Sequence, residues 1–116
     1  MSKLSDSLSA RIEPALDFLR ENALEAAQAR ANVKYMAEFL KSKRALLKTQ
    51  AAPGCSNAAA EDEALSHPDY IALLDAYKAA VERDAYFTFK REAAAAIIES
   101  WRTEQANLRA EGRAYA

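Results

Sequence analysis

Apolar residues recur every seven positions along two long stretches of the chain. In the first stretch Ile12, Leu19, Ala26, Val33, Leu40 and Leu47 form an unbroken line. Leu16, Ala23 and Ala37 follow members of that line by four residues, and Ala15, Ala29 and Met36 lie beside it. Repetition of this kind predicts a helix packed along a coiled-coil-like seam. The helix is expected to begin near Arg11 to Glu13, with Pro14 in its first turn, and to run from about residue 12 to about residue 50. About 38 residues of helix span roughly 57 Å. The polar residues before it, Ser2 to Ser9, predict at most a short lead-in helix capped by Asp6 or Ser7.

Pro53-Gly54 interrupts this pattern, and Cys55, Ser56 and Asn57 complete a connector. Ser56 or Asn57 can cap a short helix through Leu65, giving a connector over about 53–66. Ser66-His67-Pro68-Asp69 then reads as a helix start: Ser66 as N-cap, Pro68 in the first turn, Asp69 returning a capping bond. The second long helix is expected over about 68–111, ending near Gly112. Its line is Leu73, Ala80, Phe87, Ala94, Trp101 and Leu108. Tyr70, Tyr77 and Ile98 flank the line on one side, and Leu74, Val81 and Ala95 on the other.

Within this helix the segment Ala85–Trp101 is apolar on more than one side. Phe87, Ala94 and Trp101 are expected to face the first helix. Tyr86, Phe89, Ala93 and Ala96 are left over for another chain. A helix apolar on several sides calls for cover on several sides. The expected fold is therefore all-α and a single domain: a long antiparallel helical hairpin with a short connecting helix, assembling into a helical bundle. A homo-oligomer follows, with a dimer as the simplest form. Arg30 on the first helix and Asp84 and Arg91 on the last fall at one level of such a hairpin. They are read either as side chains reaching to water or as an Arg30–Asp84 pair setting register.

Composition sharpens this picture in a few respects. With only two glycines and three prolines in 116 residues and abundant alanine, helix is favoured nearly everywhere. A formal net charge of −1 gives no global attraction to nucleic acid or to anionic membrane. No apolar run approaches the roughly 20 residues a membrane helix needs, and Met1 to Pro14 lacks a secretion-signal pattern. No membrane association and a cytoplasmic location are expected. One cysteine excludes an internal disulfide framework.

Candidate chemistry is sparse. Cys55 and His67 lie near each other in sequence but lack the further ligands a zinc site requires. No phosphate loop, HExxH or GxSxG pattern occurs. Neither enzyme activity, cofactor nor metal is expected. The run Lys34 to Gln50 carries Lys34, Lys41, Lys43, Arg44 and Lys48 against Glu38 alone. Lys41, Lys43, Arg44 and Lys48 are the candidate nucleic-acid contacts, through counterion release at phosphates. The structural reading is that cations in the last turns of a helix complement its dipole and the acidic connector beyond it.

Ile98-Glu99-Ser100-Trp101-Arg102-Thr103, with Gln105-Ala106-Asn107 and Arg109-Ala110-Glu111, resembles small all-helical accessory proteins of tailed phages and prophages. The order of features is also similar: a lysine-rich helix end at Lys41 to Lys48, an Ala/Glu connector at Ala58 to Ala64, and Pro68-Asp69-Tyr70 opening a long helix. The resemblance spans Val33 to Tyr115 and transfers no residue role. It implies a phage accessory protein in the host cytoplasm. The expected function is a non-catalytic protein-interaction or assembly factor acting on a host or phage protein. The alternative is a nucleic-acid-associated factor in phage DNA recombination or replication.

Overall fold

A computed structural model describes residues 3–114, with side chains described from Ser7 onward. The side chain of the cap candidate Asp6 and the residues Ser2 and Tyr115 lie outside that description. The order of elements is α1 (Lys3–Glu21), α2 (Ala23–Thr49), α3 (Asn57–Ser66) and α4 (Pro68–Ala114), with no strand among the described residues. The fold is all-α, a long antiparallel helical hairpin with a short connecting helix.

The first arm differs from the single helix expected over 12–50. It starts at Lys3, and Pro14 lies inside α1 rather than in a first turn. The cause is packing. Leu8 and Ala15 are both buried, so the seam continues upstream of Pro14. That burial offsets much of the roughly 3 kcal/mol that an interior proline costs a helix. Ser7 accordingly lies within α1 and caps nothing. Asn22 divides the arm into α1 and α2. Its backbone N–H still donates to Phe18 O at 3.1 Å, its carbonyl accepts from Ala26 N at 2.9 Å, and its side-chain amide donates to Phe18 O at 3.2 Å. The ladder is continuous through Asn22, so the interruption is a local bend without loss of hydrogen bonds.

The inner rows of the first arm are Ile12, Leu19, Ala26, Val33, Leu40 and Leu47, and a second row three residues after each of the first five. That second row is Ala15, Asn22, Ala29, Met36 and Lys43, and every member of both rows is buried or half-buried. Of the positions expected four residues on, Leu16 and Ala37 are half-buried and Ala23 is exposed. Alternating steps of three and four residues keep a row facing its partner helix, and the position one residue further round lies at the edge of that face. Polar Asn22 and Lys43 thus occupy seam positions. On α4 the seam carries Leu73, Ala80, Phe87, Ala94 and Trp101, flanked by half-buried Tyr70, Tyr77, Asp84 and Ile98, while Leu74, Val81 and Ala95 are exposed, as is Leu108, the last member expected on the line.

Turn chemistry accounts for the connector. Cys55 N–H donates to Ala52 O at 3.1 Å, closing a turn with Pro53 and Gly54 at its centre. Gly54 has φ 81°, the left-handed value that the third position of a type II turn requires. Ser56 caps α3, its Oγ accepting from Ala59 N at 3.1 Å. The cap of α4 is His67 rather than the expected Ser66. His67 O accepts from Ile71 N at 3.0 Å, and its imidazole Nδ1 accepts from Asp69 N, also at 3.0 Å. Ser66 is the last residue of α3, and its hydroxyl donates back to Asp62 O at 2.9 Å. His67 therefore ends one helix and begins the next. At the far end α4 passes through Gly112 to Ala114, and among the described residues Gly54 alone has a positive φ.

Contacts divide the chain into two compact units, Met1–Ala26 with Tyr86–Ala116, and Ala27–Ala85. In the first, Leu8 and Ala15 of α1 and Phe87 and Ala94 of α4 are buried. In the second, the buried residues are Ala29, Leu40, Leu47, Ala60, Ala64 and Ala80. The antiparallel pairing of α2 and α4 is visible in two ion pairs of this second unit. Arg30, early in α2, meets Asp84, and Lys43, late in α2, meets Asp69 at the start of α4.

Candidate interaction surfaces

The basic end of α2 is closed by carboxylates. Lys41 Nζ lies 3.2 Å from Glu38 Oε1, one turn back on the same helix. Lys43 Nζ lies 3.8 Å from Asp69 Oδ2. Arg44 and Lys48 share Glu61 of α3, at 3.4 Å and 3.7 Å. The sequence explains this arrangement. Arg44 and Lys48 are four residues apart and so share a face of α2, and the turn at Pro53-Gly54 returns α3 along that face. Lys43 is a seam residue whose stem is covered while its ammonium reaches the α4 N-terminus. Each of the four candidate phosphate contacts therefore already has an acidic neighbour. These pairs are partly or largely exposed, and each contributes under about 1 kcal/mol.

Arg30 and Asp84 form a further pair in the same unit, Nε to Oδ1 at 3.6 Å. Asp84 is half-buried on the α4 seam and Arg30 reaches it from the edge of α2. Arg91 is exposed.

In the other unit α4 separates its aromatic residues by face. Phe87 is 6 % exposed and Phe89 is 68 % exposed. Tyr86 is 55 % exposed, and its ring meets Phe87 edge to face at 5.4 Å. Ala96 is exposed on the same side as Phe89. Ala93, also exposed, has a second neighbour. It lines a shallow groove of about 210 Å³ with Pro14 and Phe18 of α1 and Lys90 and Ile97 of α4. Lys90 Nζ stands over the Phe18 ring at 5.8 Å from its centroid, a cation–π contact.

A second apolar surface on α2 is not apparent from the seam pattern. Tyr35 is 64 %, Phe39 is 39 % and Leu46 is 50 % exposed, and Tyr35 and Phe39 stack with centroids 5.9 Å apart. Steps of four and seven residues place these three on one side of the helix, off the seam. That spacing is present in the sequence. It is masked there by the basic residues alternating with it. Leu24, at the start of α2, is 70 % exposed.

The remaining candidates do not converge. Cys55 is an exposed free thiol, and His67 acts as a helix cap. Among the described residues no group of three His, Cys, Asp or Glu side chains could hold a metal ion, and no helix is long and apolar enough to cross a membrane. No family model, curated protein or solved structure matches the chain.

Proposed function

We propose that the protein is a non-catalytic assembly or protein-interaction factor, working as a homo-oligomer whose simplest form is a dimer. One observation carries this reading. Among the described residues, six of the ten buried apolar ones are alanines, at 15, 29, 60, 64, 80 and 94, while Tyr35, Phe39, Leu46, Tyr86 and Phe89 lie on the outside. Burying a large side chain stabilises by about 1.5–3 kcal/mol, several-fold more than a methyl group. Large exposed apolar surfaces mark interaction sites. The row Tyr86, Phe89, Ala93 and Ala96 offers one such surface, mixing aromatic residues with alanines that admit a close approach.

On this reading the partner beyond a second copy is a protein. The resemblance to phage helical proteins makes it a host or phage protein met in the host cytoplasm. Capture from host lysate on the wild-type chain, set against Phe89→Glu as the control, tests it. A protein retained by the first and lost by the second supports the reading, and equal recoveries contradict it.

The alternative, a nucleic-acid-associated factor in phage recombination or replication, draws on Lys41, Lys43, Arg44 and Lys48. It has less support, because each of these cations stands within 4.0 Å of a carboxylate. Phosphate binding through them has to displace those pairs. Binding to DNA or RNA at low salt, weakening steeply as salt rises, is its signature.

A further inference from the structure

We infer that the exposed side of α2 is the seam between two copies of this chain, with α2 packed antiparallel on α2 about a two-fold axis through Tyr35. The inference rests on the reading of the protein as a homo-oligomer and assigns the surface that makes the dimer.

A two-fold contact brings a surface against itself, so residues equidistant from the axis must suit one another. The exposed row of α2 meets that condition around Tyr35. Its members are Gln28, Ala31, Tyr35, Phe39, Ser42 and Leu46, all on one side of the helix. Ala31 and Phe39 each lie four residues from Tyr35, so each Phe39 ring falls opposite the small Ala31 of the other copy. Gln28 and Ser42 each lie seven residues away, so an amide meets a hydroxyl with which it can exchange a hydrogen bond. Tyr35 meets its own copy on the axis, and its stacking on Phe39 makes the two rings one rigid apolar block.

Charge complements the arrangement. Lys34 and Glu38 lie along the same edge of the row. Antiparallel helices bring like edges together, so Lys34 of one copy lies as near to Lys34 of the other as to its Glu38, within about two residues or roughly 3 Å along the axis. The Lys34–Glu38 pair occurs twice, once at each side of the axis, and the single Lys34–Lys34 repulsion offsets part of its attraction. Lys41, which pairs with Glu38 on its own helix, lies on that edge further from the axis, and the row itself carries no charged residue, as expected of an interface centre, where charge is depleted. Tyr35, Phe39 and Leu46 together expose roughly 300 Å² of side chain, the size of the largest patch on a typical monomer. The Tyr86–Phe89 row is then free for a different protein.

A charge swap tests the register. Phe39→Glu places a carboxylate against Ala31 of the other copy and is expected to weaken the dimer by about 100-fold or more. Adding Ala31→Lys to it is expected to restore the dimer, because lysine and glutamate then face each other across the axis twice. Within one chain these positions are eight residues, about 12 Å, apart along the helix, so pairing inside a copy cannot mimic the rescue. Glu38→Lys, a milder surface change, is expected to weaken association by about tenfold and to be rescued by Lys34→Glu. Mass by light scattering, with helicity by circular dichroism as a control for folding, reads all four. A dimer that survives Phe39→Glu, or a double variant that stays dissociated, overturns this seam. If Phe89→Glu alone dissociates the dimer, the seam is wrong and the homo-oligomer stands. A single-chain mass for the wild type removes both.

Discussion

Arg30 Nε lies 3.6 Å from Asp84 Oδ1, joining α2 to α4 at the end of their shared unit far from the connector. The pair connects residues 54 positions apart in sequence, from 30 to 84, so it forms in one register of the two helices only. Register, more than stability, is what such a pair can supply. Arg30 is about half exposed and the distance is long for an ion pair. A double-mutant cycle with Arg30→Ala and Asp84→Ala in urea denaturation is expected to give a coupling under about 1 kcal/mol that shrinks in high salt. A coupling several times larger, insensitive to salt, contradicts the exposed geometry.

Glu61 decides how available the basic end of α2 is. Glu61→Gln removes the shared carboxylate of Arg44 and Lys48 and is expected to lower stability by under about 1 kcal/mol. If the cations serve phosphate, the same change raises DNA affinity and steepens its salt dependence. On the assembly reading neither the wild type nor Glu61→Gln binds a DNA duplex at low salt. Fluorescence anisotropy distinguishes the two.

His67 is expected to matter for the start of α4 and little elsewhere. His67→Ala removes the acceptor for Asp69 N–H and should cost about 0.5–2 kcal/mol, while His67→Asn, with a good capping side chain, should recover most of it. Faster amide exchange at Asp69 in the alanine variant, with exchange late in α4 unchanged, is the local signature.

Phe87 and Phe89 offer a comparison within two residues of one helix. Phe87→Ala, at a buried position, should cost about 3–5 kcal/mol. Phe89→Ala, at an exposed one, should stay within about 0.5 kcal/mol of the wild type. Thermal denaturation of the two variants reads the difference, and equal losses would mean that the faces of α4 are misassigned.

Much of this fold is legible in the sequence. The seven-residue lines, the Pro53-Gly54 break and the apolar surplus at Ala85–Trp101 follow from period and turn chemistry, which are local properties. The misplaced details are those where tertiary packing overrides a local rule. Pro14 reads as a helix start because proline prefers one, yet the burial of Leu8 carries the helix past it. Ser66 reads as a cap from residue type, yet the chain turns one residue later and His67 takes that role. Lys43 and Asn22 lie on the seam although neither is apolar, and period alone assigns such residues poorly. The acidic connector was legible as the neighbour of the basic end, but which carboxylate meets Lys43, Arg44 and Lys48 depended on where α3 and the first turn of α4 return, which no spacing rule supplies. The Tyr35–Phe39 surface was readable from spacing but was obscured by the lysines between its members.

The assembly claim rests on large apolar side chains lying outside a core built mainly of alanine. Light scattering of the purified chain across micromolar concentrations tests it most directly. A mass of twice the 12.8 kDa chain, or a higher whole multiple, is the expected result. A mass of 12.8 kDa at every concentration would contradict the account.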